Sequence, residues 1–141
     1  MGYYMISIKY PNFVMSNSEP IEILLVEDDT VNSQLFQMML QRLGYHVDLA
    51  ENGEEALAKI DQKAYGLILM DCQMPILDGY ATTQALRSQP QHQDTIIIGL
   101  TAYAMTEDRE RCLEVGMNDY LTKPLKMSDL SATIEKWISR S

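Results

Sequence analysis

The chain has 141 residues and a formal net charge of −9, with twenty acidic and eleven basic side chains. That length suits one domain with one hydrophobic core. The acidic balance speaks against direct nucleic-acid binding, which needs clustered Lys and Arg, and suits a protein that holds a cation or meets a basic partner.

Residues 1–20 are short of charge, contain Pro11 and Pro20, and read as a leader or linker. Within them, residues 3–8 can pair as an edge strand or stay disordered, and Met15 can serve as an alternative start. The start lacks a basic segment before a continuous apolar core, so no secretory signal is expected. From residue 21 to 141 the chain reads as one folded domain in which strand and helix alternate.

Residues 21–26 form a nearly continuous apolar strand, broken only by Glu22. A helix over 30–43 follows, with Leu35, Met38, Met39 and Leu43 expected on its buried face and Gly44 as its stop. Asp29 and Thr30 are expected to cap it. Residues 45–50 alternate as a strand nearer the sheet edge. Asn52-Gly53 opens a second helix carrying Ala56, Leu57 and Ile60, and 67–71 is a third strand. Asp78-Gly79 opens a third helix, with Ala81, Ala85 and Leu86 expected inward.

The β-branched run at 95–100 suits a fourth strand inside a sheet. Thr106 is expected to cap a fourth helix that carries Glu107 and Asp108 in its first turn and ends at Gly116. A short fifth strand covers 118–122. Ser128 is expected to cap a last helix bearing Leu130, Ile134, Trp137 and Ile138. That helix ends near the C-terminus, so no output domain is expected within the chain.

Five βα units predict an α/β fold: a doubly wound, five-stranded parallel sheet with helices on both faces. Near-continuous apolar strands need that double cover. No apolar run is long enough to cross a membrane. Cys72 and Cys112 show neither metal spacing nor a disulfide framework. They read as small half-buried residues in a reducing, cytoplasmic setting. His46 and His92 lack a ligand pattern and read as solvated surface.

In a parallel sheet all strands present their C-terminal ends on one edge, where open α/β sheets carry their sites. Glu27 and Asp28 follow the first strand, Asp71 ends the third, Thr101 follows the fourth, and Lys123 follows the fifth. Three converging carboxylates repel one another and favour a hard cation, Mg2+, with oxygen ligands. An ionised Asp71 can attack a phosphoryl group as a nucleophile. Lys123 can neutralise the phosphoryl oxygens, and the Thr101 hydroxyl can donate to one.

The wording around these residues resembles a receiver domain of a two-component response regulator. The matching motifs are Leu24-Leu25-Val26-Glu27-Asp28, Leu69-Met70-Asp71-Cys72-Gln73-Met74-Pro75 with Asp78-Gly79, Leu100-Thr101-Ala102, and Asp119-Tyr120-Leu121-Thr122-Lys123-Pro124. The resemblance implies a flavodoxin-like strand order of 2-1-3-4-5. It implies Asp71 as phosphoacceptor, fed by the phosphohistidine of a histidine kinase or histidine phosphotransfer protein. It implies a Mg2+ site of Glu27, Asp28, Asp71 and the Gln73 carbonyl, a Thr101–Tyr120 switch pair, and a cis Lys123–Pro124 peptide. Gln73 and Tyr103 would tune the phosphate lifetime, with Tyr103 hindering the hydrolytic water.

Asp71 through Tyr80, Leu100 through Met105 and Asp108 through Leu113 further resemble receivers of hybrid sensor kinases. The implied protein is a switch and not a turnover enzyme. Its output would be a contact face of the fourth helix, fifth strand and fifth helix, read by a partner or by a second copy of the chain. Two other readings compete. A docking module would keep the fold without the chemistry. A small aspartyl phosphatase would need an acid where Gln73 stands.

Overall fold

The computed structural model describes residues 20–102 and 105–139. Five strands, β1 (Glu22–Val26), β2 (His46–Ala50), β3 (Leu67–Asp71), β4 (Ile97–Thr101) and β5 (Asp119–Thr122), form one parallel sheet in the order β2-β1-β3-β4-β5. Five helices connect and follow them: α1 (Thr30–Arg42), α2 (Gly53–Gln62), α3 (Gly79–Arg87), α4 (Thr106–Glu114) and α5 (Met127–Ile138). A short 3-10 turn, Pro90–His92, precedes β4. The expected doubly wound α/β fold is the observed one, with β2 on an edge.

The alternation of side chains along each strand divides the core. Ile23, Leu25, Leu67, Leu69, Ile98 and Leu100 pack with Phe36 and Leu40 of α1 and Leu130 and Ile134 of α5. Leu24, Val26, Ile68 and Met70 face the other way, against α2, α3 and α4 through Ala56, Ile60, Tyr80, Leu86 and Cys112. All five residues of β3 are buried, as are all five of β4. This two-sided cover is why those strands carry no polar alternation.

Local signals fix the helix starts closest to the site. Asp29, Asn52 and Asp78 are N-caps whose side chains accept from the N–H groups of Asn32, Glu55 and Ala81, at 2.8, 2.9 and 2.8 Å. Gly44 and Gly116 take φ of 94° and 108° just beyond α1 and α4, where residues with a Cβ are strained.

Several expectations require correction. In α1 the buried face is Ser33, Phe36, Met39 and Leu40, while Leu35 and Met38 are 45% and 47% exposed. In α3 the buried residues are Gly79, Tyr80, Thr82, Thr83 and Leu86; Ala81 and Ala85 are only half-buried. Thr106 and Ser128 lie inside their helices, and the N-caps are Met105 and Lys126, neither with a side-chain capping bond. Both cysteines are buried, not half-buried. His92 is half-buried, with Nε2 4.0 Å from Asp61. His46 is exposed as expected, with its Nδ1 2.6 Å from Glu22.

Candidate functional site

The ladder register sets the height of each site residue at the C-terminal sheet edge. Val26 pairs with Met70, so Glu27, the next residue, comes level with Asp71. Asp71 pairs with Leu100, which puts Thr101 one step beyond it. Thr101 pairs with Thr122, and Lys123 follows. The Lys123 N–H donates to the Thr101 carbonyl at 2.8 Å, tying the ends of β4 and β5. The Lys123–Pro124 peptide is cis.

Glu27 and Asp71 are buried and Asp28 is exposed; all three offer carboxylate oxygens within 4.8 Å of one another. Lys123 Nζ lies 2.9 Å from Glu27 Oε1 and 3.2 Å from Asp71 Oδ1. Backbone donors complete the frame: Asp29 N–H to Glu27 Oε2 and Gln73 N–H to Asp71 Oδ1, each 3.2 Å. Two adjoining carboxylates out of water resist double ionisation. Burial first, then the neighbouring Glu27, pushes the Asp71 carboxyl up to about 7, against the pull of Lys123 and the Gln73 N–H. Burial alone would lower the Lys123 ammonium; the Glu27 and Asp71 carboxylates outweigh it and hold its pKa above the ordinary lysine value.

Thr101 is buried at the end of β4. Tyr120 is half-buried, its ring centroid 5.5 Å from the Arg109 guanidinium of α4. Gln73 is exposed. Tyr103, the other residue assigned to lifetime tuning, lies outside the described residues, as does the whole of 1–19.

The backbone behind Asp71 is packed without slack. The Gly79 N–H donates to the Cys72 carbonyl at 3.2 Å, and a Cβ on Gly79 would lie 2.2 Å from the Asp71 carbonyl oxygen. Gly53, at the start of α2, donates to Leu77 O at 3.2 Å and so holds the β3–α3 loop. Beside the acids, an open cleft of about 180 Å³ is lined by Glu27, Asp28, Ser33, Gln37 and Glu51 among others.

Two features escape a reading by spacing. Val31, Leu35 and Met38 recur at i, i+4 and i+7 along the outer face of α1, 71%, 45% and 47% exposed. Ile76, 72% exposed in the β3–α3 loop, adopts φ of 71°. The apolar residues of α1 outnumber the positions one buried face needs, which is the signal that a second stripe exists.

The arrangement suits a hard cation held by oxygen ligands and a carboxylate poised as a nucleophile beside an ammonium group. The family model described as response regulator receiver domain matches residues 23–135. Hybrid signal transduction histidine kinase B of Dictyostelium discoideum is 47% identical over 125 residues, which is 80% of this chain and 6% of that protein. Sensor protein GacS of Pseudomonas syringae pv. syringae is 37% identical over 86% of this chain and 14% of its own length. The chain therefore spans a small part of these curated relatives.

Among solved structures, the receiver domain of sensor histidine kinase PA1611 from Pseudomonas aeruginosa PAO1 holds a magnesium ion in its active-site cleft. It is 45% identical with a TM-score of 0.80, covering 86% of this chain and 99% of that one. The receiver domain of Ssk1 from Saccharomyces cerevisiae, crystallised with the histidine phosphotransfer protein Ypd1, belongs to a match at 32% identity and TM-score 0.78. That match covers 84% of this chain and 88% of the other.

Proposed function

The chain belongs to the response regulator receiver domain family, and from that premise we propose that it is a phosphorelay switch whose phosphoacceptor is Asp71. The observation that carries this reading is the meeting of Glu27, Asp28 and Asp71 within 4.8 Å, with Lys123 Nζ 3.2 Å from Asp71. An Asp71 oxygen attacks the phosphorus of a phosphohistidine. The P–N bond breaks, the imidazole leaves with the electron pair, and an acyl phosphate remains on Asp71. Lys123 meets the charge of the phosphoryl oxygens, and the Thr101 hydroxyl donates to one of them.

The residues fit Mg2+. Three carboxylates face one ammonium group, so the cluster carries surplus negative charge, and every donor is oxygen. Glu27, Asp28, Asp71 and the Gln73 carbonyl would hold the ion. When bound, it supplies the positive charge that lets anionic donor and anionic acceptor approach.

The phosphoryl group adds negative charge at the sheet edge and shifts Thr101 and Tyr120. The face of α4, β5 and α5 changes with them and meets a partner or a second copy. The donor, a histidine kinase or histidine phosphotransfer protein, docks on the apolar stripe of Val31, Leu35 and Met38, which starts beside Asp28 and Asp29. Release of phosphate is slow self-hydrolysis, tuned by Gln73 and Tyr103. The docking-module reading is not favoured, because it leaves a buried, mutually repelling Glu27–Asp71 pair without a use. Residues 1–20 act as a leader or linker to the domain.

Transfer from a histidine phosphotransfer domain labelled on its histidine tests the reading. Label should pass to this chain in Mg2+ and not to Asp71→Asn. Label that passes equally to the variant would overturn it.

A further inference from the structure

Cys72 and Cys112 stand 40 positions apart, yet their sulfurs lie 3.8 Å from each other, both buried and both free thiols. Gly99 makes this meeting possible. A Cβ there would come 3.3 Å from each sulfur and 2.5 Å from Met117 Sδ, so a side chain in that interior strand position would force the thiols apart. Glycine weakens a strand interior and often marks such a close approach.

The two anchors differ in firmness. Cys72 directly follows Asp71; its N–H donates to Leu100 O at 2.9 Å and its carbonyl accepts from Gly79 N–H at 3.2 Å. Both backbone groups of Cys72 are thus tied, one to β4 and one to the start of α3. Cys112 is the one buried residue of α4, whose Leu113 is 53% exposed. A helix with so little buried surface belongs to the part of a domain that opens locally, and opening exposes the thiols to small oxidants.

We propose that Cys72 and Cys112 are a site of reversible oxidative cross-linking, with hydrogen peroxide as oxidant. One thiol sulfur attacks a peroxide oxygen, giving a sulfenic acid and water. The second sulfur then attacks the sulfenic sulfur, and a second water leaves. Two S–H bonds are lost, one S–S bond forms, and two electrons reduce the peroxide. A dithiol reductant reverses the step by exchange. The sulfurs need to close from 3.8 Å to about 2 Å, a distance of side-chain rotation when α4 is loosened.

The bond ties α4 to the residue after Asp71. Resting on the switch reading above, it holds the face of α4, β5 and α5 in one arrangement and slows phosphoryl uptake several-fold. Intact mass of the full chain after peroxide treatment tests this. The mass should fall by about 2 Da, a peptide linking Cys72 to Cys112 should appear, and dithiothreitol should reverse both. Cys112→Ala should lose the link, and circular dichroism checks that it folds.

Uptake of phosphate by the cross-linked chain should be slower and should recover on reduction. Gains of about 16 or 32 Da on separate cysteines, a disulfide between two chains, or an unchanged mass in the folded chain would overturn the cross-link. Equal uptake by both forms would overturn its regulatory part. A reduced chain that takes no phosphate would count against the switch reading, and the cross-link would still stand or fall on the mass.

Discussion

Lys123 reaches from the end of β5 to Asp71 at the end of β3, with Nζ 3.2 Å from Oδ1 and 2.9 Å from Glu27 Oε1. One ammonium group thus holds two buried carboxylates together. Removing it leaves both acids without their cation, and an unpaired buried charge is far more costly than the pair is stabilising. Lys123→Ala should therefore lower unfolding stability by about 3 kcal/mol at pH 8. The loss should be smaller at pH 5, where Asp71 is protonated. Urea melts at the two pH values check this; equal losses at both would contradict it.

The raised Asp71 carboxyl makes a pH prediction of its own. Its folded pKa, about 7, exceeds the ordinary 3.8. Between those values the folded chain holds a proton that the unfolded chain has released, so the stability contributed by this group declines as pH rises through that window. Above about 7 the decline stops. Asp71→Asn cannot ionise, so in metal-free buffer its stability advantage over the parent should grow from pH 4 to pH 7 and then level off. Thermal melts of both proteins across that range provide the check.

Gly79 lies directly behind Asp71, where a Cβ would meet the Asp71 carbonyl oxygen at 2.2 Å and Met70 Cγ at 2.9 Å. The backbone atom cannot yield as a flexible side chain can. Gly79→Ala should cost about 1–3 kcal/mol and should move the amide resonance of Asp71. Gly44→Ala, with nothing within 4 Å of the added Cβ, should leave that resonance in place while still meeting the strain of its φ of 94°. Chemical denaturation and amide spectra of the two variants separate crowding from backbone strain.

Ile76 is a β-branched residue at φ of 71° with 72% of its surface in solvent. It is held in a left-handed conformation that glycine adopts freely, and it has little burial to lose. Ile76→Gly should raise stability by about 1 kcal/mol. A destabilised variant would show that the isoleucine side chain makes contacts worth more than the strain it bears.

Much of this was legible in the residues. Apolar runs at 67–70 and 96–100 marked buried strands because cover on both faces leaves no polar alternation. Asp29, Asn52 and Asp78 announced their helices through carboxylate or amide groups that accept from N–H groups one turn on. The convergence of Glu27, Asp28, Asp71, Thr101 and Lys123 followed from parallel strands alone.

The buried face of α1 is ambiguous in the sequence because the helix carries two apolar stripes. Periodicity cannot say whether Phe36 and Leu40 or Leu35 and Met38 turn inward. Thr106 and Ser128 looked like caps by composition, yet the chain enters each helix one or two residues earlier, at Met105 and Lys126. The Cys72–Cys112 contact depends on the missing side chain of Gly99, and nothing local to either cysteine signals it.

The proposal stands or falls on Asp71 as the phosphoacceptor. Phosphoramidate, whose P–N bond mimics phosphohistidine, with Mg2+ and intact-mass detection, tests it most directly. The parent chain should gain about 80 Da, and the gain should disappear in chelator and in Asp71→Asn. No gain in the folded parent chain, or an equal gain in the variant, would contradict it.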